Sequence, residues 1–275
     1  MKYEIKNDGI IAYKDDFFNP YDTVKCGQTF RYEIKDDKIT IYSTKYRCII
    51  EEFDTYYYIY TNVPNYFAKY LDFDQNYDII YTKLVDKGLI KQCADFSKGI
   101  RILNQNPVEM IISFIISANN NIPRIQKIIN SICRELGENM GDYYAFPEVK
   151  ALASVDEQFY KSVGAGYRAS YLVDTANKLL NCDIASLQML PTAELLTSLQ
   201  QFKGVGPKVA DCIALFGFHR GEVCPIDTWM KKVYLEYFGK ETNPKIIREN
   251  LTNMFGELSG YMQQYLFYYK RELDK

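Results

Sequence analysis

Histidine is almost absent from this chain, whose 275 residues include one, His219. The seven cysteines are scattered singly, and no two stand in a C-x-x-C pair. Zinc sites and cysteine-ligated clusters need several ligands at close spacing, so neither is expected, nor is a histidine-based metal centre or catalytic triad. The odd, scattered set also argues against a disulfide framework and indicates buried thiols in a reducing compartment. We therefore predict a protein without a metal or other cofactor.

Long apolar runs are missing as well. The longest, around residues 110–118, is far too short to span a bilayer, and residues 1–6 lack the apolar core of a signal peptide. The composition, 47% hydrophobic and 25% charged, is typical of a globular chain with room for two domains. We expect a monomer without membrane contacts that is cytoplasmic, nucleoid-associated in a bacterium or nuclear in a eukaryote.

A surplus of positive charge is also absent. The 33 basic and 35 acidic residues give a net charge of −2, whereas nucleic-acid binders are usually basic. Residues 1–95 contain 13 basic and 16 acidic side chains, which leaves 20 and 19 for residues 96–275. Any contact with phosphate must therefore come from a local patch or from backbone amides.

Two periodicities divide the chain. Phe30, Tyr32 and Ile34 alternate with polar residues, Ile39 and Ile41 resume the alternation, and Tyr56, Tyr58 and Tyr60 repeat it, which predicts antiparallel strands with one buried face. From about residue 96 the period becomes helical, beginning with Asn106 and Glu109 as a capping box around Pro107. The fold class is therefore α+β, with an antiparallel β-rich domain over residues 1–95 and an all-helical domain over residues 96–275. Helical spacing is seen at Ile125, Ile128, Ile129 and Ile132; at Leu195, Leu199 and Phe202; at Val209, Cys212, Ile213 and Phe216; at Met230, Val233, Tyr234 and Tyr237; and at Leu258, Met262, Tyr265, Leu266 and Tyr269.

The segment Gly204-Val-Gly206 predicts a tight hairpin between a helix that runs to Phe202 and one that begins at Pro207. Both glycines can adopt positive φ and let another backbone approach closely. Amides exposed at the helix N-terminus form an anion site that fits a DNA phosphate without net positive charge. On spacing alone, a glycine helix cap without further function explains the turn equally well.

Lys208 falls in the first turn of the second helix, where the helix dipole disfavours an ammonium. Such departures from local stability concentrate at functional sites. The dipole and partial burial predict a lowered pKa and a neutral amine that can act as a nucleophile. The alternative is a solvated lysine that touches phosphate. Cys212 follows one turn later, so both side chains can border one pocket.

Asp227 immediately precedes the helix of Met230 to Tyr237, and its simplest role is that of an N-cap. A capping aspartate is rigidly held and accepts backbone hydrogen bonds that keep it ionised. We predict that it also supplies the fixed anion that a sugar cation needs beside it.

The run from Gly204 to Cys212, followed by Val223-Cys-Pro-Ile-Asp227, resembles the signature of the helix–hairpin–helix DNA glycosylases. Within that superfamily the chain is most similar to the 8-oxoguanine DNA glycosylases. The similarity extends from about residue 20 to residue 267, and five ordered segments argue against a chance match. The supporting segments are Cys26-Gly-Gln-Thr-Phe-Arg31, Gly99-Ile-Arg-Ile-Leu103, Ser117-Ala-Asn-Asn-Asn-Ile-Pro-Arg124 and Gly164-Ala-Gly-Tyr-Arg168.

The resemblance implies a bifunctional glycosylase and AP lyase whose partner is damaged double-stranded DNA, with the target nucleotide flipped out of the stack. Lys208 would attack C1′ and form a Schiff base, and Asp227 would stabilise the sugar cation. The Gly27 carbonyl would accept the N7 proton of the oxidised base. Phe267 and Cys212 would sandwich that base, and Gln263 would bind its Watson–Crick edge. The alternative for Gly27 is a glycine that only forms a turn. The alternative for Gln263 and Phe267 is a surface amide beside a core aromatic.

The resemblance also implies a DNA-binding set. Asn119 would fill the space that the base vacates, and Tyr167 would wedge the stack. Arg124 and Arg168 would read the orphaned cytosine, while the amides at Gly204 and Gly206 would hold phosphate. From the residues alone, Asn119 is a helix-end residue and the arginines are solvated.

Two residues depart from the family pattern: Lys203 replaces a proline before the hairpin, and Trp229 replaces a phosphate-contacting histidine of some members. Glycosylases for adenine mispairs lack the lysine, and they and the iron–sulfur pyrimidine branch carry a four-cysteine cluster that is missing here. The alkylation-repair branch has only the aspartate. A non-catalytic hairpin that grips the DNA backbone needs neither Lys208 nor Asp227.

Overall fold

The computed structural model describes residues 1–274. Within them, six strands form one antiparallel sheet in the order β1-β2-β6-β5-β4-β3, which confirms the predicted α+β class together with the helices that follow. The strands are β1 (Tyr3–Lys6), β2 (Gly9–Tyr13), β3 (Tyr32–Lys35), β4 (Lys38–Ser43), β5 (Tyr46–Glu52) and β6 (Tyr56–Tyr60).

One buried row of isoleucines crosses the sheet. Ile10 pairs with Ile59, Ile59 with Ile50, and Ile50 with Ile39, and all four side chains are buried. Because side chains alternate between the two faces of a strand, a slip of one residue would turn such a row towards water. In β6 the buried residues are Tyr57 and Ile59, so the predicted face of Tyr56, Tyr58 and Tyr60 is wrong; Ile34 of β3 is also exposed, because it lies on the edge strand of the sheet.

Helices make up most of the remaining structure. They are α1 (Pro20–Lys25), α2 (Pro64–Tyr70), α3 (Tyr77–Asp86), α4 (Lys91–Ser97), α5 (Pro107–Ser117), α6 (Ile122–Leu136), α7 (Val149–Ala153), α8 (Glu157–Ser162), α9 (Ala169–Leu179), α10 (Ile184–Met189), α11 (Thr192–Leu199), α12 (Pro207–Gly217), α13 (Thr228–Tyr237), α14 (Pro244–Phe255) and α15 (Ser259–Leu273). Short 3₁₀ turns at Gly166–Arg168 and Gly256–Leu258 lead into α9 and α15.

The β-rich character predicted for residues 1–95 does not extend through residues 61–95. The strands end at Tyr60, and α2, α3 and the start of α4 lie between there and residue 95. Side chains of α2 pack into the core of the sheet, whereas α3 and α4 contribute to the larger helical core. The boundary between the two domains therefore stays a prediction.

The cap of α5 is only partly a capping box. Asn106 accepts a hydrogen bond from the Glu109 amide at 3.1 Å, with Pro107 at the first helical position, as predicted. The Glu109 carboxylate does not reach back to Asn106. It accepts from the Thr44 amide at 2.9 Å and lies 3.4 Å from Arg31, so it ties the sheet to the helices.

The predicted apolar faces of the later helices are buried, with Tyr237 (39% exposed) as the exception because it lies at the outer end of α13. None of the helices in residues 1–274 combines the length and the apolar character needed to cross a membrane. The same residues contain no group of three or more histidine, cysteine, aspartate or glutamate side chains that could hold a metal ion.

Candidate active site

The hairpin between α11 and α12 requires one of its two glycines for conformational reasons. Gly204 has a φ of 84°, and a Cβ built on it would lie 2.3 Å from Cδ2 of Tyr171. Gly206 differs from the expectation: it is the N-cap of α12 with a φ of −90°, and no atom lies within 4 Å of its built Cβ. No side chain caps α12. Its first amides therefore face open space, where an anion can bind.

Lys208 lies in the first turn of α12, as predicted, but its ionisation does not follow the prediction. As a residue it is exposed, yet its ammonium is closely surrounded by protein atoms. The Cys212 thiolate and, less strongly, Asp227 raise the pKa of Lys208, and they outweigh the lowering by burial. The expectation of a lowered pKa is wrong because it considered the helix dipole without these two acids.

Cys212 interacts with the Lys208 ammonium one helical turn away and is itself buried. Burial raises the pKa of the Cys212 thiol to about 11, although Lys208 opposes that rise. Cys212 therefore raises the pKa of Lys208, and Lys208 opposes the rise in the pKa of Cys212.

Asp227 is the N-cap of α13, and its carboxylate accepts a hydrogen bond from the Met230 amide at 2.8 Å. The cap prediction is confirmed. Burial raises the pKa of Asp227, while the Met230 amide, Lys208 and the Trp229 amide oppose the rise. The capping bonds therefore favour the ionised carboxylate, as expected, but burial is the larger influence on its pKa. Among the described residues, no ion pair joins Asp227 and Lys208 within 4.0 Å.

Gly27 occupies a tightly held turn. Its φ is 87°, and a built Cβ would lie 3.6 Å from Cε1 of Phe267. The carbonyls on either side are engaged, since Gln264 donates to Cys26 and Gln105 donates to Gln28, each at 2.8 Å. Within residues 1–274, the Gly27 carbonyl itself receives no hydrogen bond. A free acceptor therefore lies beside an aromatic ring.

Gln263 and Phe267 lie one turn apart on α15. Gln263 is only 5% exposed, and its Oε1 atom has no partner among the described residues. A buried acceptor without a partner is what a base-reading amide presents before its ligand arrives. The structure places Gly27 and Phe267 together, but it records no contact between Phe267 and Cys212. The base sandwich therefore stays a prediction.

A second cluster joins the turn before α6 to the turn before α9. Asn119 is exposed and has a φ of 49°, a left-handed conformation that asparagine tolerates. Tyr167 is 55% exposed, and its hydroxyl donates to the Ala118 carbonyl at 3.2 Å. Arg124 donates to the Gly164 carbonyl at 3.3 Å. Three of the predicted DNA-binding residues thus share one exposed edge.

Arg168 belongs to the same edge but is only 2% exposed. Its Nε donates to the Ala118 carbonyl at 2.8 Å and its Nη2 to the Asn119 carbonyl at 2.7 Å. In this conformation the guanidinium fixes the backbone of Asn119. Its predicted contact with a cytosine is untested and requires these bonds to open.

Of the two residues that depart from the family pattern, Lys203 is exposed and Trp229 is partly exposed. The Lys203 amide donates to Asp174 at 3.3 Å, a bond that a proline could not make. Lys232 lies 4.5 Å from the centre of the Trp229 ring, so a cation is present beside the indole.

Sequence reasoning missed the side chains that hold the Gly27 turn. Gln264 and Arg271 of α15 donate to the carbonyls of Cys26 and Lys25, across sequence separations of 238 and 246 residues. Gln28 is fully buried, and its amide donates to the Arg101 carbonyl at 2.7 Å. The only local signal is the Gly27-Gln28 pair in the sequence. The partners of these residues lie too far along the chain for the sequence to identify them.

Comparison with known proteins gives matches along nearly the whole chain. The family described as "8-oxoguanine DNA glycosylase, N-terminal domain" matches residues 10–111, and the "HhH-GPD superfamily base excision DNA repair protein" family matches residues 112–257. The chain is 34% identical over 195 residues to the N-glycosylase/DNA lyase OGG1 of Arabidopsis thaliana, which covers 64% of this chain and about half (53%) of that protein. It is 31% identical to the N-glycosylase/DNA lyase of Saccharomyces cerevisiae, over 82% of this chain and 70% of that one.

A solved structure resembles the chain over its full length. It is the 8-oxoguanine glycosylase/lyase of Clostridium acetobutylicum in complex with dsDNA containing cytosine opposite to 8-oxoG. The TM-score is 0.93 at 36% sequence identity, and the match covers 100% of this chain and 99% of the other.

Proposed function

Because this chain belongs to the 8-oxoguanine DNA glycosylase family of helix–hairpin–helix proteins, we propose that it excises 8-oxoguanine from duplex DNA and then cleaves the strand. The observation that carries the proposal is the lysine at the uncapped N-terminus of α12. Its ammonium is surrounded by protein, and a fixed aspartate lies beyond direct ion-pair distance. A protein that only grips phosphate needs no such pair.

In the proposed reaction, Lys208 Nζ attacks C1′ of the flipped nucleotide. The C1′–N9 bond breaks, and its electron pair leaves with the base. Positive charge develops on the sugar, and the Asp227 carboxylate stabilises it from a fixed position. The nitrogen then loses its proton and the sugar ring opens to a Schiff base, from which loss of a C2′ proton expels the 3′-phosphate.

The amine must be neutral when it attacks. Since Cys212 and Asp227 raise the pKa of Lys208, the ammonium is its resting form, and deprotonation precedes attack. Because burial raises the pKa of the Cys212 thiol to about 11, the thiol is neutral near pH 7, and Asp227 is the nearby anion that holds this proton. The site therefore favours catalysis that is faster at higher pH.

Base recognition is assigned to the turn and the helix that meet at Gly27. Its free carbonyl would accept N7–H of 8-oxoguanine, whereas the lone pair on N7 of guanine repels it. The unpartnered Oε1 of Gln263 suits the N1–H and N2–H donors of the Watson–Crick edge. The exposed edge with Asn119, Arg124 and Tyr167 would face the gap left in the duplex.

The test is borohydride trapping on duplexes that contain 8-oxoguanine, uracil or an adenine mispair. We expect a covalent adduct with the 8-oxoguanine duplex and none with the other two. Lys208→Gln should abolish trapping and excision while DNA binding is largely retained. Lys203→Gln is the matched control, because it removes a lysine from the same hairpin without touching the attacking amine.

Each contrary result points to a different function. Excision near the wild-type rate by Lys208→Gln contradicts the nucleophile assignment. Binding of all three duplexes without excision or trapping supports a non-catalytic hairpin module. Excision of adenine without trapping supports a monofunctional glycosylase.

A further inference from the structure

Arg271 lies near the end of α15, one helical turn after Phe267, and its side chain is 13% exposed. Its Nη2 atom donates to the Lys25 carbonyl at 2.6 Å and lies 3.1 Å from a Glu272 oxygen. Its Nε and Nη1 atoms are buried without a hydrogen-bond partner among residues 1–274. Burying a charged donor without an acceptor is costly, so these atoms call for an acceptor that the protein does not provide.

The unpartnered Nη1 borders the space next to Gly27. A Cβ built on Gly27 would lie 3.4 Å from Arg271 Nη1 and 3.6 Å from Phe267 Cε1. The guanidinium carbon lies 5.3 Å from the centre of the Phe267 ring. Helical side chains lean towards the N-terminus of their helix, which directs Arg271 back over Phe267. The free donor and the ring therefore both lie next to Gly27, whose carbonyl receives no hydrogen bond within residues 1–274.

The same face of α15 presents an unpartnered acceptor at its other end. Gln263, Phe267 and Arg271 follow one another at intervals of one turn, so they lie on one side of the helix. Along this face, the Gln263 acceptor is followed by the Phe267 ring and then by the Arg271 donor. In 8-oxoguanine, the N1–H and N2–H donors lie at one edge, while the O8 acceptor lies beside N7–H at the opposite edge.

We propose that Arg271 is a specificity-determining residue whose Nη1 donates a hydrogen bond to O8 of the flipped base. The assignment rests on the proposed function and adds a contact to the atom that undamaged guanine lacks. O6 is the less suitable acceptor because it belongs to the edge beside Gln263, whereas O8 adjoins the N7 that Gly27 reads.

A guanidinium at O8 also acts on the leaving group. When the C1′–N9 bond breaks, the electron pair passes to N9 and is shared with the adjacent C8–O8 group. A fixed positive charge at O8 stabilises this anion more than it stabilises the bound base, so it lowers the barrier to excision.

The experiment compares single-turnover excision of 8-oxoguanine and 8-thioguanine by the wild type and by Arg271→Met. The thio base keeps N7–H but has a weaker acceptor at position 8. We expect Arg271→Met to lose about ten- to a hundredfold with 8-oxoguanine and much less with the thio base. The wild-type preference for oxygen over sulfur should therefore collapse.

Arg220→Met is the matched control. Arg271 donates to one backbone carbonyl, and Arg220 donates to two, those of Gln188 and Leu190 at 2.6 and 3.0 Å. As in Arg271, the Nε atom of Arg220 is buried without a partner. It lies outside the proposed base pocket, so its loss should leave the oxygen preference unchanged. Cleavage at a base-free site is the second readout, and Arg271→Met should retain it.

The outcomes separate three cases. Equal losses of Arg271→Met with both bases would assign Arg271 to holding the Lys25 turn and overturn the contact with O8. Unchanged excision by Arg271→Met would overturn it as well. A wild-type protein that does not excise 8-oxoguanine at all overturns the proposed function instead.

Discussion

The two halves of the proposed active site are assembled in different ways. The chemical half, Lys208, Cys212 and Asp227, comes from one hairpin and the two helices that follow it. The recognition half joins the turn at Gly27 to α15 through hydrogen bonds that span 238 and 246 residues. Local chain geometry therefore positions the proposed nucleophile, whereas the completed fold positions the proposed base pocket.

This difference predicts that the halves fail separately. Loss of the Lys208 amine should stop both base excision and cleavage at base-free sites, because the proposed reactions use the same amine. A change in the recognition half should slow excision of the damaged base but spare base-free sites. Base-free cleavage is thus the common reference for the variants below.

The largest effect is expected from Asp227→Asn. Asparagine keeps the N-cap, so the free energy of unfolding should fall by about 1 kcal/mol or less. Loss of the anion beside the sugar should slow excision by about a hundred- to a thousandfold. Single-turnover excision and urea unfolding measure the two quantities.

Asp156→Asn is the control for Asp227→Asn, since Asp156 caps α8 through the Phe159 amide at 2.9 Å at an exposed position. We expect it to show a similar small loss of stability and no loss of activity. If the unfolded fraction of Asp227→Asn explains its whole loss of activity, then Asp227 acts only as the N-cap of α13 and not as the anion beside the sugar.

The next effect concerns a single hydrogen bond at Gly27. On Lys208→Gln protein, replacing 8-oxoguanine by a 7-deaza analogue with C7–H should weaken binding by about ten- to a hundredfold. Gln263→Ala should weaken the binding of both bases alike, because it acts at the other edge. Equal affinity of Lys208→Gln protein for the two bases would show that the Gly27 carbonyl does not read N7.

A smaller effect is expected from Gln264→Leu, which tests whether α15 holds the Gly27 turn. The change leaves the Cys26 carbonyl without its donor and should lower the free energy of unfolding by roughly 1–3 kcal/mol. Excision should slow by about tenfold as the turn loosens, while base-free cleavage is retained. Gln188→Leu, which removes a longer bond to the Phe218 carbonyl at 3.3 Å, is the control. Loss of base-free cleavage by Gln264→Leu would contradict the separation of the two halves.

The same contrast explains what could be predicted from the sequence. The presence of strands, the apolar face of α12 and the Asp227 cap depend on neighbours within a few residues, and these predictions are confirmed. Arg271 and Gln264 depend on partners more than 200 residues away, so no local pattern indicates their roles.

Two errors have specific physical causes. Residues 61–95 lie within the predicted β-rich domain, but Pro64 begins α2 and Asn76 caps α3 through the amides of Asp78 and Ile79. These start signals are short and lie in tyrosine-rich sequence that also favours strands. The prediction of a lowered pKa for Lys208 was wrong because it considered the helix dipole and burial but left out the acidic groups of Cys212 and Asp227.

The smallest effect tests how the chemical half controls its proton. The pKa of Lys208 is raised by Cys212 when that thiol is ionised and by Asp227, so the neutral fraction of the amine increases with pH throughout the neutral range. The rate of base-free cleavage should accordingly rise as pH increases from about 6 to 9, as expected for a lysine that titrates above that range. Burial raises the pKa of the Cys212 thiol to about 11, so Cys212 is neutral over this range and Asp227 is the nearby anion. Cys212→Ser should therefore leave the rising limb in place, and cleavage at pH 7 should change by less than about tenfold. Base-free DNA is the proper substrate because Cys212 also borders the predicted base sandwich, and a limb that moves to lower pH would show that an ionised Cys212 holds the proton of the attacking amine.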